Sequence, residues 1–238
     1  MSATRSRWPQ GVELSTDTWT LDGVRRGRTE DPASCADRLG RFLLGLAATD
    51  PTLSRWYDED DEPVALDPAA VHALVQHGRQ DDDPHGRFGS IVLLHNGQDD
   101  ERSSTVVEVV CGAGSEYVPD TFAVTLPQPG AAPELYQRDR MLGLLDLAVG
   151  AWQPHWCRAR PQSLGSAAGD VTALASWLVY LDRAVYTRAG EPPAGVEALG
   201  REHGELFVLA DTPQQLSLRT IDALRAAVTF TPDWTDLA

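Results

Sequence analysis

Lysine is absent from this 238-residue chain: all 20 basic side chains are arginine, against 35 acidic ones, and the formal net charge is −15. A pI near 4.7 argues against direct binding of DNA, RNA or an anionic membrane, since all three need a basic face. High-GC composition accounts for the arginine; selection for bidentate pairing with carboxylates is the alternative. Cysteine is scarce. Cys35, Cys111 and Cys157 are odd in number and scattered, with no CxxC, which fits a reduced cytoplasm better than a disulfide framework. Long apolar runs are missing too. The segment from Met141 to Trp152 is broken by Asp146 and is too short to span a bilayer. The start, Met1 to Pro9, has no apolar stretch after its arginines and so does not read as a signal peptide. There is no GxSxG, no P-loop and no HExxH.

What is present suffices for a core. Apolar residues make up 42% of the chain and seven are tryptophan, which excludes intrinsic disorder. The expected organisation is a loose arm over residues 1–10 and a single domain over 11–238. Val12 to Leu21 alternates weakly and reads as a first strand. Asp31-Pro32 reads as an N-cap with proline at the first helical position. Cys35, Leu39, Phe42, Leu43 and Leu46 follow at helical spacing, and Asp50-Pro51 ends that helix. Asp67-Pro68 caps a second, shorter helix with Val71, Leu74 and Val75 inward and Gly78 at its C-terminal end.

The middle of the chain is β. The near-continuous apolar run from Phe88 to Leu94 predicts a central strand, and Asn96-Gly97 a turn. Thr105 to Cys111 and Thr121 to Leu126 alternate as half-buried strands, completing an antiparallel meander. Pro133 opens the longest predicted helix, to about Trp152, with Leu135, Leu142, Leu145, Val149 and Trp152 as its stripe. Ser176 to Asp182 and Glu205 to Ala210 are further strands, and Gln214 to Val228 a closing helix. Grouped strands with helices before, between and after predict an α+β fold: a mainly antiparallel sheet with helices packed against it.

Chemical signals are few. Cys111-Gly112-Ala113-Gly114-Ser115 follows a strand without opening a helix, and reads as a turn rather than a phosphate cradle. His77, Asp81, Asp83 and His85 are of types that together suit a metal, so a small metal-dependent enzyme is one reading; a solvated turn with surface histidines is the other. His155-Trp156-Cys157 sets a thiol near an imidazole, but neighbours in sequence rarely face each other, which favours a structural role. The strongest polar feature is three acidic runs in predicted loops: Asp58, Glu59, Asp60, Asp61 and Glu62; Asp81, Asp82 and Asp83; Asp99, Asp100 and Glu101. Any one such run serves solubility. Three of them on a chain of net charge −15 predict docking onto a basic protein surface. Trp56 and Tyr57 adjoin the first run and are of the types that anchor interfaces; core packing is the competing role for Trp56.

The order of these features resembles the bacterial immunity protein 52 family of polymorphic toxin systems. Four stretches carry the resemblance: Arg38 to Leu44 running into Asp50-Pro51 and Arg55-Trp56; the helix after Asp67-Pro68; Trp152-Gln153-Pro154-His155-Trp156; and Ser176-Trp177-Leu178-Val179-Tyr180-Leu181, then Gly204 to Leu209 and a terminal helix. They cover about residues 12–230. Ser176 stands where family members often have glycine. The resemblance implies a cytoplasmic immunity protein that binds a cognate toxin, typically a nuclease of restriction-endonuclease-like fold, with no cofactor and no catalysis. A non-catalytic assembly module of a secretion system is a further reading of the same acidic chain.

Overall fold

The computed structural model describes residues 14 and 16–230, apart from 80–82, 84, 85, 116 and 168–173, and of 165–167 the backbone alone. The expected N-terminal arm and the acidic residues Asp81 and Asp82 lie outside the described residues, as does His85. In chain order the elements are β1 (Trp19–Arg25), α1 (Pro32–Thr49), α2 (Pro68–His77), β2 (Ser90–His95), β3 (Val106–Cys111), β4 (Asp120–Leu126), α3 (Arg138–Trp152), β5 (Trp156–Pro161), α4 (Gln162–Ala167), β6 (Leu178–Asp182), β7 (Tyr186–Arg188), β8 (Glu197–Gly200), β9 (Gly204–Val208), α5 (Leu218–Ala227) and β10 (Val228–Phe230). Eight strands form one sheet in the order β2-β3-β4-β1-β5-β6-β9-β8, with antiparallel neighbours throughout; β7 and β10 form a separate two-stranded ribbon. The fold is α+β. Among the described residues no helix is long and apolar enough to cross a membrane.

Both Asp-Pro pairs cap helices. Asp31 accepts from the Ser34 amide at 3.0 Å, and Asp67 accepts from Ala69 and Ala70, each at 3.0 Å. Asp50 ends α1 and also caps a short 3₁₀ turn through the Thr52 amide. The weakly alternating stretch before Leu21 is largely outside β1, which begins at Trp19 and runs on to Arg25. The helix expected from Pro133 begins at Arg138, because Pro133–Tyr136 closes as a 3₁₀ turn first. Its buried stripe is therefore Met141, Leu144, Leu145, Ala148, Ala151 and Trp152, and at 15 residues it is shorter than the 18-residue α1. Four further strands, β5, β7, β8 and β10, have no counterpart in the sequence pattern.

One hydrophobic cluster runs through the molecule. On the inner face of the sheet, register lines up Val92, Val109, Phe122, Gly23 and Cys157 in one row, and Leu94, Val107, Val124, Leu21 and Ala159 in the next. Against these rows α1 sets Leu39, Phe42, Leu43 and Leu46, α2 sets Val71 and Val75, and α3 closes the layer with Trp152. Phe42 meets Phe122 and Trp152 edge-on at centroid distances of 5.7 and 5.8 Å.

The outer face is treated differently at its two ends. At β6 and β9 it is covered by the β7–β10 ribbon: Tyr186 stands edge-on to Phe207 at 5.9 Å and Arg188 pairs with Glu205 at 3.1 Å. At β2, β3 and β4 the outward side chains Ile91, Leu93, Val106, Glu108, Val110, Thr121, Ala123 and Thr125 are all half-buried or exposed. A ridge divides the two halves. There Arg158 pairs with Asp22 at 3.0 Å and lies over the Trp156 ring at 4.9 Å, with Arg160 3.7 Å from the same carboxylate.

β2 itself corrects an expectation. The apolar run from Phe88 to Leu94 is an edge strand, and not a central one. Alternate residues of the run face water because, among the described residues, no strand lies beyond β2 and no helix covers its outer face. A continuous apolar run is compatible with either position, and periodicity alone does not separate them.

Candidate functional site

The first acidic run is a built loop. Tyr57 pairs with His95 at the end of β2 through both backbone bonds, 2.8 and 3.0 Å, so the loop extends the sheet by one short rung beyond its edge. The Asp58 carboxylate turns inward and accepts from the amides of Asp60 and Glu62, each at 3.0 Å. Asp61 takes the left-handed conformation with φ 61°. Glu59, Asp60, Asp61 and Glu62 are left facing solvent.

His95 locks this loop to the next. Its Nδ1 accepts the Gly97 amide at 3.2 Å. Nε2 therefore carries the proton, and it lies 3.0 Å from the Asp58 carbonyl oxygen and 3.2 Å from the Asp61 carboxylate. The imidazole also stacks on the Tyr57 ring at 5.7 Å. Gly97 has φ +68°, and a β-carbon there would meet the Tyr57 ring at 2.6 Å, so only glycine permits this approach.

Beyond Gly97 the loop is held by Asn96, which is buried. Its amide nitrogen donates to the carbonyls of Ser103 at 2.9 Å and Thr52 at 3.3 Å, and its oxygen accepts from the Thr105 amide at 3.0 Å. Asp99, Asp100 and Glu101 ride on this frame, exposed. The Arg102 guanidinium beside Asp100 holds that carboxyl below the usual carboxylate range. The first and third acidic runs are thus neighbours at one end of β2. Of the second run, Asp83 lies at the other end, where it accepts from the Phe88 amide at 2.7 Å.

Trp56 is 2% exposed and belongs to the core, so its indole supports the loop from beneath and presents no surface. Tyr57 is half-buried against His95.

The edge of β2 is clamped at both ends and open between. At its start Ile91 donates to the Gly78 carbonyl at 2.9 Å and Arg79 bridges to Ser90; at its end Tyr57 pairs with His95. Gly78 is needed for the first clamp, since a β-carbon there would lie 2.1 Å from the Ile91 carbonyl oxygen. A cleft of about 330 Å³ lies along the open stretch, with Asp58, Glu59 and Asp60 at one end, Leu74, Ile91 and Leu93 along it, and His77 and Arg79 at the other end. A second groove, about 350 Å³, lies between α1 and α2 around Gly40, Leu44 and Val71; a third, about 430 Å³, lies beside β9 and the start of α5.

The other chemical candidates are placed as follows. His77 ends α2 and is exposed, and Asp83 is engaged in its turn. Among the described residues no group of three His, Cys, Asp or Glu side chains is arranged to hold a metal. Cys157 is buried in β5, and burial pushes its thiol well above the ordinary range, which removes it as a nucleophile. Cys35 and Cys111 are buried together; the hydrogen bond between them and desolvation push Cys35 up as well. Gly112 directly follows β3, with φ +75°. Sequence reasoning missed His95 as the lock between loops, and placed Ile91 and Leu93 in a buried strand. The signal for His95 was its position two residues before a turn glycine and directly after an apolar run.

Comparison with known proteins gives one family. The immunity protein 52 model matches residues 17–220. No curated protein matches the chain. Among solved structures the chain is similar to the Pseudomonas aeruginosa T6SS protein PA0821, with 17% identity over 88% of this chain and 72% of that one, at a TM-score of 0.47.

Proposed function

The chain belongs to the immunity protein 52 family, and on that premise we propose that it binds a cognate polymorphic toxin in the cytoplasm and neutralises it by forming a stoichiometric complex. The family match over residues 17–220 is the observation that carries this reading. The toxin is proposed to be a nuclease, of restriction-endonuclease-like fold. A nuclease has to attract a polyanion, so its cleft is basic, and an inhibitor of net charge −15 with two adjoining exposed acidic loops is complementary to it. No catalytic step and no cofactor are assigned to the chain; it acts by occupying its partner.

The test is co-expression. The C-terminal domain of the large protein encoded beside this gene is produced in a bacterial host with and without this chain. The expected result is that the domain alone arrests growth, that this chain restores it, and that the two purify as a one-to-one complex of nanomolar or tighter affinity. A toxic neighbour that is neither rescued nor bound overturns the reading. Reversing Glu59, Asp60, Asp61 and Glu62 to arginine is expected to slow association about tenfold or more at low salt and to flatten its salt dependence. Unchanged rates would remove the acidic loops from the encounter.

A further inference from the structure

Five large apolar side chains are exposed on the described surface: Leu44 at 54%, Phe88 at 47%, Ile91 at 41%, Leu93 at 38% and Tyr117 at 64%. Four of the five lie on or beside β2. Ile91 and Leu93 alternate along its outer face, and Phe88 precedes it. Tyr117 belongs to the loop after β3, which is tied to the Phe88 segment by bonds from Gly114 to the Gly86 carbonyl at 2.9 Å and from Ser115 to the Arg87 carbonyl at 3.3 Å. Scattered single apolar residues on a surface need no explanation, whereas a contiguous set marks contact with something.

The same edge has unused backbone. Ile91 and His95 point their amides away from β3, to Gly78 and Tyr57. By the two-residue period of a strand, Leu93 points the same way, and no described residue pairs with it. The apolar stripe is continuous with the carboxylates, because Ile91 and Leu93 line the cleft whose end is Asp58, Glu59 and Asp60. Among the described residues no arginine pairs with Glu59 or Asp60. The Arg79 guanidinium lies against Gly86, at the other end.

From this juxtaposition we infer that the outer face and open edge of β2 form the surface on which the toxin docks, and that the cleft takes a long cationic side chain of the toxin, arginine or lysine. Such a side chain is apolar along its stem and charged at its head, matching Leu74, Ile91 and Leu93 along the cleft and Glu59 and Asp60 at its end. The inference rests on the immunity reading and deepens it by naming the surface. Size is consistent. Three strands about 4.8 Å apart and about 20 Å long present about 300 Å², whereas one side of a standard interface needs about 800 Å². The remainder has to come from the flanking loops, which are the acidic loops and the Tyr117 loop. Glu108, exposed opposite Leu93, adds a carboxylate to the centre of the same face.

The experiment uses the full chain and the neighbouring toxin domain, with affinity measured by titration calorimetry. The double variant Ile91→Glu with Leu93→Glu is expected to weaken binding at least 100-fold with its melting temperature little changed, because both side chains already face water. Leu44→Glu, at a more exposed site on α1, is expected to bind as wild type. Hydrogen exchange on the wild-type complex keeps the inference testable whatever the variants do to folding: the Leu93 amide is expected to become protected. Full-strength binding by the double variant, an equal loss from Leu44→Glu, or an unprotected Leu93 amide overturns the surface assignment while leaving immunity intact. Failure of the wild-type chain to bind at all overturns the reading beneath it.

Discussion

β2 and β6 are both short, apolar strands of the same sheet, and they meet opposite fates. Leu178, Val179, Tyr180 and Leu181 of β6 are all buried, because α3 lies near one face and the β7–β10 ribbon lies over the other. In β2 only Ser90, Val92 and Leu94 are buried, and Ile91 and Leu93 face water. The inward residues of the two strands do the same work. The outward ones differ: in β6 they complete the core, and in β2 no described part of the chain covers them. Apolar residues at solvent-facing positions contribute little to folding, and the docking proposal gives these two a use.

That contrast can be broken in order of effect. Trp177, next to β6, is fully buried, donates to the Ala210 carbonyl at 2.8 Å and meets Trp19 edge-on at 5.8 Å. Trp177→Ala is expected to cost about 3–5 kcal/mol in a urea titration, whereas Leu93→Ala should cost less than about 1 kcal/mol. Equal costs would erase the distinction between the two halves of the sheet.

Asn96→Ala tests the frame under the acidic loops. It strips a buried residue of its bonds to Thr52, Ser103 and Thr105, and is expected to cost about 2 kcal/mol and to speed proteolysis between residues 96 and 105. Asp67→Ala removes a cap from α2, the helix whose C-terminal end clamps β2. A cost of about 1 kcal/mol is expected by the same titration. A null result there would mean that the helix is held by packing alone.

The smallest effect concerns pH and belongs to the ridge region. Burial lowers the His155 pKa below its ordinary 6.5, with Arg25 and Arg26 acting in the same direction and Asp182 opposing them. The folded state therefore takes up the proton later than the unfolded chain does. His155 contributes nothing above about pH 7, and it destabilises progressively as pH falls through 6.5 toward the depressed folded value. In denaturation midpoints measured from pH 7.5 to 5.5, His155→Gln is expected to decline less steeply than wild type; parallel curves would assign the acid sensitivity to other groups.

α1 and α2 were legible because aspartate-proline pairs announce a helix start chemically, and the apolar spacing that follows needs no tertiary information; α3 and α5, without such a pair, begin four or five residues later than expected, and α4 is too short to show a period. The strands Val106–Cys111 and Asp120–Leu126 were legible because one of their faces is wet and they alternate. β5 was not, because Arg158 sits in it buried; only the long-range pairing with Asp22 makes that tolerable, and nothing local signals it. The short strands β7, β8 and β10 have too few residues to show a period. At the candidate site the carboxylates could be read from the sequence, but their adjacency could not. Loops 58–62 and 99–101 are brought together by His95, Gly97 and Asn96, whose roles depend on the register of β2. Ile91 and Leu93 were read as core for the same reason: an apolar run states what a strand is made of, and its neighbours decide what it faces.

The position of β1 has a consequence in time. Trp19 pairs with Leu126 on one side and with Pro161 on the other, so the first strand made sits between two that are made much later. At about 5–20 residues per second, the ribosome delivers Leu126 roughly 5–20 s after Trp19. Through that interval the central strand has neither neighbour, and β2 and β3, as they emerge, can pair only with each other. The sheet therefore closes late in synthesis, however early its central strand is made.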